Sequence, residues 1–391
     1  MNTILRTRLL SSLIFFMLIA SAVFTVPARA DGGSPPPAPT GAGGTGPAHT
    51  TAQGTSGVTN TSGAGHTVEL GSQAAAHVSA AGDPLWCPSS LGAPTPGAHS
   101  CTINYPDLAG LTAYLASNQK TVDGTIWING GGPDASSPTG MDGTGAFATM
   151  ALHKLTLKGG WTGIGGAINP LNPSIFSSAL AIGGWINDIT VSDVQFNNNT
   201  NFPDLGRGLV IATRGNITLT RVEALDDMGI GALLDNRSGT GSVSIMNSQF
   251  NNDATFFGSH SLEVYSNNVI NLTNVVAISS DGVLLDNSTA SNKAITIKSG
   301  LFDNHAYNGL EVVSMGPITL TNVSVSGNGG VGIGYGASLD NSSSITAAPV
   351  TLTGINNFNY NGTFGILVLS AGKITSVRST PVTTILTEQT S

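Results

Sequence analysis

A short alternation of apolar and small polar residues recurs along most of the chain. Each copy places one Thr, Ser or Asn between two apolar residues, and the clearest copies are LTL at 155–157, ITV at 189–191, ITL at 217–219, VSI at 243–245, INL at 270–272, ITI at 295–297, ITL at 318–320 and VTL at 350–352. Alternation with a period of two is typical of a β-strand that buries one face. The copies return every 23 to 32 residues, which is the spacing of one turn of a solenoid.

Two further apolar segments follow each copy. The first is a pair such as Val194 and Phe196, and the second is a strand such as GLVI at 208–211, LEV at 262–264, VLL at 283–285, GLEV at 309–312 or GILV at 365–368. Three short strands per repeat wrap a chain into a triangular coil, and stacked coils pair equivalent strands in parallel about 4.8 Å apart. The pattern therefore predicts an all-β parallel solenoid of roughly nine to ten coils.

The first 85 residues do not carry this pattern. Residues 1–30 combine Arg6 and Arg8, an apolar run and small residues around Ala28 and Ala30, which is the pattern of a secretory signal peptide. The alternative, a transmembrane anchor, needs about 20 apolar residues, and this run is shorter and contains two serines. Residues 31–85 consist almost entirely of Gly, Ser, Thr, Pro and Ala, so we expect a disordered linker there.

Residues 86–124 are expected to form a cap. Cys87 and Cys101 bracket a turn-rich segment, and in a secreted chain with two cysteines they predict one disulfide. Leu108, Leu111 and Leu115 follow Pro106 at helical spacing, so they predict a short helix that covers the open end of the coil. The solenoid is then expected over 125–378, beginning with the strand TIWI at 125–128. The tail at 379–391 is expected either to fold back over the last coil or to lead into a longer solenoid.

The amino-acid composition reduces the number of functional classes to which the protein can belong. Only 36 of the 391 residues are charged, the formal net charge is -8, and Gly occurs 51 times. Such a composition disfavours a coiled coil, a charged disordered tail and a nucleic-acid binder that relies on a basic patch. No segment after the leader is long and apolar enough to cross a bilayer, so no membrane span is expected after signal cleavage. These features predict a secreted or cell-surface protein.

The cap and the repeats together resemble a known family. The segments WCPSSLGAPTPGAHSCT, LAGLTAYL, GTIWING and LTLKGGW, followed by the repeats to about residue 378, resemble the right-handed parallel β-helix of the pectate-lyase-like superfamily. They look especially like large secreted or surface β-helix proteins of filamentous Chloroflexi. The resemblance implies a right-handed coil. It leaves function open, because the superfamily includes polysaccharide lyases, glycoside hydrolases, adhesins and passive surface proteins.

Two sets of residues are candidates for function. The central residues of the strand copies, among them Thr190, Thr218, Thr319 and Thr351, would form an outward ladder. This ladder is either ordinary solvent-facing strand chemistry or a flat hydroxyl surface for a glycan, ice or a mineral. For catalysis, the best candidates are Asp226, Asp227 and His260, and the nearby Glu263 and Glu311 would lie two coils apart, at about 10 Å.

Other polar and aromatic residues are assigned structural roles. The turn residues Asn198, Asn252 and Asn304 are expected to form a stacked amide ladder, and the side chains of Phe196, Phe250, Phe302 and Phe358 are expected to stack in the core. The tripeptide LDN recurs at 234–236, 285–287 and 339–341, on every second coil and before a longer loop. That side is a reasonable first place for a partner.

Two hypotheses follow. The first is a non-catalytic structural, adhesive or glycan-binding module whose partner is an extracellular polysaccharide or a cell-surface glycan, with no cofactor or metal. The alternative is a polysaccharide lyase or glycoside hydrolase, with Ca²⁺ required only by a lyase. Three or more carboxylates, or acids with a base, converging in one groove would favour the enzyme.

Overall fold

The computed structural model describes residues 84–131, 140–197, 208–225, 229–251, 260–330 and 334–377, together with the backbone of 133–135, 139 and 385–389. All of them belong to the compact unit that spans 71–391. The expected signal peptide and nearly all of the expected linker lie outside the described residues, as do Asp226 and Asp227.

The described elements are one α-helix, one short 3₁₀ turn and 24 strands. The helix is α1 (Leu108–Ser117) and the 3₁₀ turn is Met150–Leu152. The strands of the first half are β1 (Leu85–Pro88), β2 (Gly124–Asn129), β3 (Pro133–Ala135), β4 (Thr139–Asp142), β5 (Leu155–Trp161), β6 (Ser174–Phe176), β7 (Leu180–Trp185), β8 (Ile189–Asn197), β9 (Leu209–Thr213), β10 (Ile217–Leu225), β11 (Ala232–Asp235) and β12 (Val243–Asn251). Those of the second half are β13 (Leu262–Tyr265), β14 (Ile270–Ile278), β15 (Val283–Asn287), β16 (Ile295–Lys298), β17 (Leu301–Asp303), β18 (Leu310–Ser314), β19 (Ile318–Thr321), β20 (Tyr335–Asp340), β21 (Val350–Thr353), β22 (Phe364–Ser370), β23 (Ile374–Ser376) and β24 (Ile385–Gln389).

The strands form two parallel stacks. The first sheet runs through β2, β5, β8, β10, β12, β14, β16, β19, β21 and β23, and the second sheet has ten strands from β4 to β24. Within each stack a strand pairs in parallel with the equivalent strand of the next turn, whereas β1 pairs antiparallel with β2 at the N-terminal end. The predicted all-β parallel β-helix is thereby confirmed.

The long strands of the first sheet turn a corner at one residue with a positive φ. This residue is Asp193 in β8, Arg221 in β10, Asn247 in β12 and Asn274 in β14, with φ between 51° and 59°. We call the part before this corner the first side of the coil, the part after it the second side, and the second sheet the third side. One continuous strand therefore supplies two of the three strands that the sequence predicts for each repeat.

Polar side chains pair along this corner. Arg221 donates from Nε and Nη2 to the carboxylate of Asp193 at 2.6 and 3.0 Å, and the Asp193 side chain is fully buried. One turn on, Asn274 Nδ2 donates to Asn247 Oδ1 at 2.9 Å. The expected ladder at Asn198, Asn252 and Asn304 stays a prediction, because the first two residues lie outside the described residues. A second amide pair between successive turns joins Asn328 Nδ2 to Asn361 Oδ1 at 3.0 Å.

The aromatic core is also arranged differently from the expectation. Phe196, Phe250, Phe302 and Phe358 are all at most 1 % exposed. The register places Ala224 between the first two, and Ala277 and Val325 fill the corresponding places further on. The Phe rings therefore alternate with small residues on successive turns, because adjacent large rings at every turn would overfill the coil. The described Phe–Phe stack is the one between Phe176 and Phe196, at 5.0 Å.

The N-terminal cap forms as the sequence predicts. Asp107 caps α1 by accepting a hydrogen bond from Gly110 N at 2.7 Å, and Leu108, Leu111 and Leu115 are fully buried in the main core. Cys87 and Cys101 form the predicted disulfide. In the described part of the chain, no helix has the length and apolarity that a membrane crossing requires.

Candidate functional site

The LDN tripeptides anchor their own loops. Asn236, Asn287 and Asn341 are fully buried, and their Nδ2 groups donate to backbone carbonyls, for example Asn341 to Gly316 O and Ala348 O at 3.0 Å. The preceding Asp accepts the amide hydrogen bond of the residue two positions on, as Asp286 does from Ser288 at 2.7 Å. The polar groups of this motif are thus used inside the coil, where they hold the longer loop of every second turn.

The threonine ladder exists as one column on the first side. Strand register connects Thr190, Thr218, Thr319 and Thr351 through Ser244, Asn271 and Thr296, and all of these side chains are half-buried. Hydroxyl groups also meet in the adjacent column, where Thr321 Oγ1 and Thr353 Oγ1 are 2.8 Å apart. The four positions named from the sequence are equivalent along the column, so the register singles none of them out.

Of the three catalytic candidates, His260 is the one that the structure describes. His260 Nδ1 lies 3.0 Å from Glu263 Oε1, and Tyr265 Oη donates to Glu263 Oε2 at 3.2 Å. Because a carboxylate only accepts hydrogen bonds, this contact assigns the proton to Nδ1 of the imidazole. Glu263 is 9 % exposed. The side chains of β13 therefore hold the His260 ring in one orientation at the edge of the third side.

A cavity of about 230 Å³ lies beside this pair. Its lining consists of His260, Asp281, Val283, Tyr307, Asn308 and Glu311. Glu263 and Glu311 face outward two turns apart, because each pairs with Leu284 of the turn between them. Two carboxylates and one imidazole thus line the cavity, and Glu263 contacts the imidazole at its edge. Acids beside a base in one groove are the arrangement expected of the enzyme.

These residues belong to a longer column along the coil axis. His260, Asp281, Asn308, Tyr335 and Phe364 each lie two positions before a residue of one aligned, buried row on the third side, which consists of Leu262, Val283, Leu310, Ala337 and Ile366. We call these five residues the corner column. Four steps of about 4.8 Å separate its ends, so it extends for roughly 19 Å. A linear ligand laid along the axis would meet all five positions.

The far end of the corner column is aromatic. The rings of Tyr335 and Phe364 stack with centroids 5.7 Å apart and an interplanar angle of 11°. Tyr335 N donates to Asn308 Oδ1 at 2.8 Å, so the aromatic pair adjoins the polar cavity directly. The column therefore changes from titratable groups at His260 to apolar rings at Phe364.

The pKa values of two tyrosines at the site are raised. Burial and the neighbouring Glu263 carboxylate raise the pKa of Tyr265 to about 12. The pKa of Tyr307 is also raised, by desolvation first and then by the charge of Asp281. Arg237 lies over the Tyr265 ring at 4.3 Å, while its guanidinium is bound to Asp235 at 2.6 Å. Both phenols therefore keep their protons near neutral pH and remain hydrogen-bond donors.

A second, larger cavity of about 1060 Å³ lies at the N-terminal cap. Trp86, His99, Lys120, Asp123 and His153 are among its lining residues. Lys120 Nζ lies over the rings of Tyr114 and Trp86, at 5.0 and 5.6 Å from their centroids. No group of three or more His, Cys, Asp or Glu suited to a metal ion occurs among the described residues, in either cavity or elsewhere.

No protein-family model matches the chain, and no curated protein matches it. Two solved structures are similar to it: the A-modules of the mannuronan C-5 epimerases AlgE4 and AlgE6 of Azotobacter vinelandii, each at 14 % identity over 72 % of this chain. The alignments cover 93 % and 92 % of those modules, with TM-scores of 0.31 and 0.30. At this level of likeness neither activity nor any site residue transfers to this chain.

Proposed function

We propose that this chain is a secreted or cell-surface β-helix module that binds an extracellular polysaccharide along the corner column. The observation that carries the proposal is the stacked pair Tyr335 and Phe364 in line with the polar cavity around Asn308. Sugar rings present apolar faces, which pack on aromatic rings, and hydroxyl edges, which bind amide and carboxylate groups. Both kinds of partner occur here in one row along the axis.

Binding by full-length protein to a panel of labelled oligosaccharides tests this proposal. Tyr335→Ala and Phe364→Ala remove one ring each, and we expect either change to weaken binding at least about five-fold, since an aromatic contact contributes roughly 1 kcal/mol beyond its buried area. Tyr360→Ala is the matched control, because the Tyr360 ring is 90 % exposed and does not belong to the column. Equal affinity of the Tyr335→Ala and Tyr360→Ala proteins would contradict the proposal.

A second candidate function is catalysis on the same polysaccharide, as a lyase or a glycoside hydrolase. The specific observation in its favour is the contact of His260 with Glu263 beside Asp281 and Glu311. An imidazole oriented by a carboxylate is suited to proton transfer, and a second carboxylate is the partner that hydrolases require. The two-turn separation of Glu263 and Glu311, about 10 Å, is near the upper end of the inverting range.

Product analysis separates catalysis from binding alone. An active enzyme releases unsaturated ends or reducing ends, and His260→Ala and Glu311→Gln would then abolish product without abolishing binding at Tyr335. Asp226→Ala and Asp227→Ala test the two sequence-derived candidates that lie outside the described residues. Intact oligosaccharide after long incubation with wild-type protein would leave the module as a binder and refute the catalytic alternative.

A further inference from the structure

Charge is distributed unevenly between the two sheets. The strands of the second sheet contain no Lys or Arg, but they contain seven Asp or Glu: Asp142, Asp235, Glu263, Asp286, Glu311, Asp340 and Glu388. The first sheet differs, because Lys158, Arg221 and Lys298 lie in its strands. The strands of the second sheet therefore carry acidic side chains and no basic ones.

The cavity concentrates this negative charge. Asp281 and Glu311 line it, and Glu263 lies against His260 at its edge. Asp281 is 7 % exposed and Glu263 is 9 % exposed, so both carboxylates are held close to the protein, where solvent screens them less than it would on an open surface. Arg237 lies over the ring of Tyr265, which donates to Glu263, and the guanidinium of Arg237 is bound by Asp235.

We propose that the ligand of the corner column is a cationic polysaccharide, one whose sugar units carry protonated amino groups. The inference rests on the proposed function and adds the substrate class. An ammonium group in the cavity meets Asp281 and Glu311, while the sugar ring of a neighbouring unit packs on Tyr335. A polyuronate would instead bring its carboxylates against the carboxylates of Asp281 and Glu311, and this repulsion disfavours it.

The corner column offers two kinds of binding group to successive sugar units of a polymer. The corner column carries its acidic group at one end, near Asp281, and its aromatic group at the other, near Phe364, with the amide of Asn308 between them. Hydroxyl groups of a sugar bind amides and carboxylates alike, whereas an ammonium group gains most from a carboxylate. The site thus distinguishes amino sugars from neutral sugars by charge and keeps a shared ring-binding surface for both.

The test uses fluorescently labelled chitohexaose, N-acetylchitohexaose, cellohexaose and oligogalacturonate of equal length, with the full chain at pH 5.5. At this pH the amines of chitohexaose are protonated. We expect chitohexaose to bind at least ten-fold more tightly than its N-acetylated form, and oligogalacturonate to bind least. Raising the salt concentration from 50 to 500 mM should weaken chitohexaose binding and leave cellohexaose binding unchanged.

Substitutions of single carboxylates test which residues bind the ammonium groups of chitohexaose. Asp281→Asn and Glu311→Gln should each lower chitohexaose affinity about ten-fold and leave the affinity for N-acetylchitohexaose within two-fold. Glu223→Gln is the matched control, because Glu223 lies on the second side of the coil, away from the cavity. Circular dichroism and melting of each variant identify any that fails to fold, and in that case the salt dependence and ligand ranking of wild-type protein still decide the question.

Each outcome has a distinct meaning. If cellohexaose or oligogalacturonate binds as tightly as chitohexaose and Tyr335→Ala weakens that binding, the charge inference is overturned while the proposed function stands. If no oligosaccharide of the panel binds, both are overturned. If chitohexaose binds equally to wild-type, Asp281→Asn and Glu223→Gln proteins, the attraction is diffuse and the assigned site is wrong.

Discussion

Replacing the buried amide of one LDN tripeptide should loosen the coil at that turn. Asn287 Nδ2 donates to Lys293 O at 2.9 Å and to Asn268 O at 3.2 Å, and the residue is fully buried. In Asn287→Ala, Lys293 O keeps its contact with Ser314 Oγ at 3.4 Å, whereas Asn268 O loses the amide. At about 0.5–1.5 kcal/mol for each bond, the change should destabilise this turn by about 2 kcal/mol.

Hydrogen exchange is the assay for this loss, because a solenoid opens turn by turn and each turn contacts only its neighbours. A local destabilisation of 2 kcal/mol raises the exchange rate of the affected amides roughly 30-fold. The amides of Ala290 and Ile270, which bond to Asn287 O and Ala294 O, report on the loop and the strand beside it. Ser291→Ala, an exposed change in the same loop, is the control.

If Asn287→Ala leaves exchange at Ala290 within two-fold of wild-type, or changes it no more than Ser291→Ala does, then the buried amide does not hold the loop. The second period of the sequence, in which LDN returns on alternate turns, would then need a different cause.

Three further predictions concern the core, the cap and pH. Phe250→Ala should lower the free energy of unfolding by about 3–5 kcal/mol through the cavity it leaves, whereas Leu171→Ala, 93 % exposed, should leave it within about 0.5 kcal/mol in chemical denaturation. Cys101→Ser should cost about 3 kcal/mol, the loop entropy of a 14-residue separation, and an equal melting temperature with and without reductant would contradict this. Burial lowers the pKa of His305 to about 4, so the stability it contributes is present above its ordinary pKa of 6.5 and is lost as pH falls from there towards 4. This loss of folding stability amounts to roughly 3 kcal/mol. His305→Asn keeps an acceptor for Ser280, and we expect it to flatten the dependence of folding stability on pH. The same pH dependence in His305→Asn and wild-type protein would disprove this prediction.

The fold was predictable from the sequence because few folds accommodate a period-two strand pattern that returns about every 26 residues. Register in a parallel stack follows from burying the same face on every turn, so Thr190 and Thr218 had to align. The helix α1 was predictable for a similar local reason, since its three leucines share one face. These features depend on neighbours along the chain or on the turn above and below.

The candidate site was predictable only in part. His260, Glu263 and Glu311 were singled out from the sequence, but Asp281 and Tyr335 were not, because nothing local marks either residue. They come together because Asp281 lies two positions before Val283 and Tyr335 lies two positions before Ala337, and only the register of the second sheet shows that Val283 and Ala337 belong to one row. A search for titratable, amide and aromatic residues at the same position of successive third-side repeats would have found the whole column.

The corner between the first and second sides shows a different limit. Asp193 and Arg221 occupy equivalent positions in successive turns, where the backbone has a positive φ that favours Gly or Asn. A buried ion pair at such a place has no signature in composition or spacing. The 28-residue separation of the two charges is simply one repeat.

Hydroxyl-radical footprinting of the full chain with saturating chitohexaose tests the central claim most directly. Binding along the corner column should protect the aromatic side chains of Tyr307, Tyr335 and Phe364. Met246, 37 % exposed beside the threonine column, and Tyr360, 90 % exposed elsewhere, should react as they do without ligand. Protection of Met246 with unchanged reactivity of Tyr335 would place the ligand on the first side and contradict binding along the corner column.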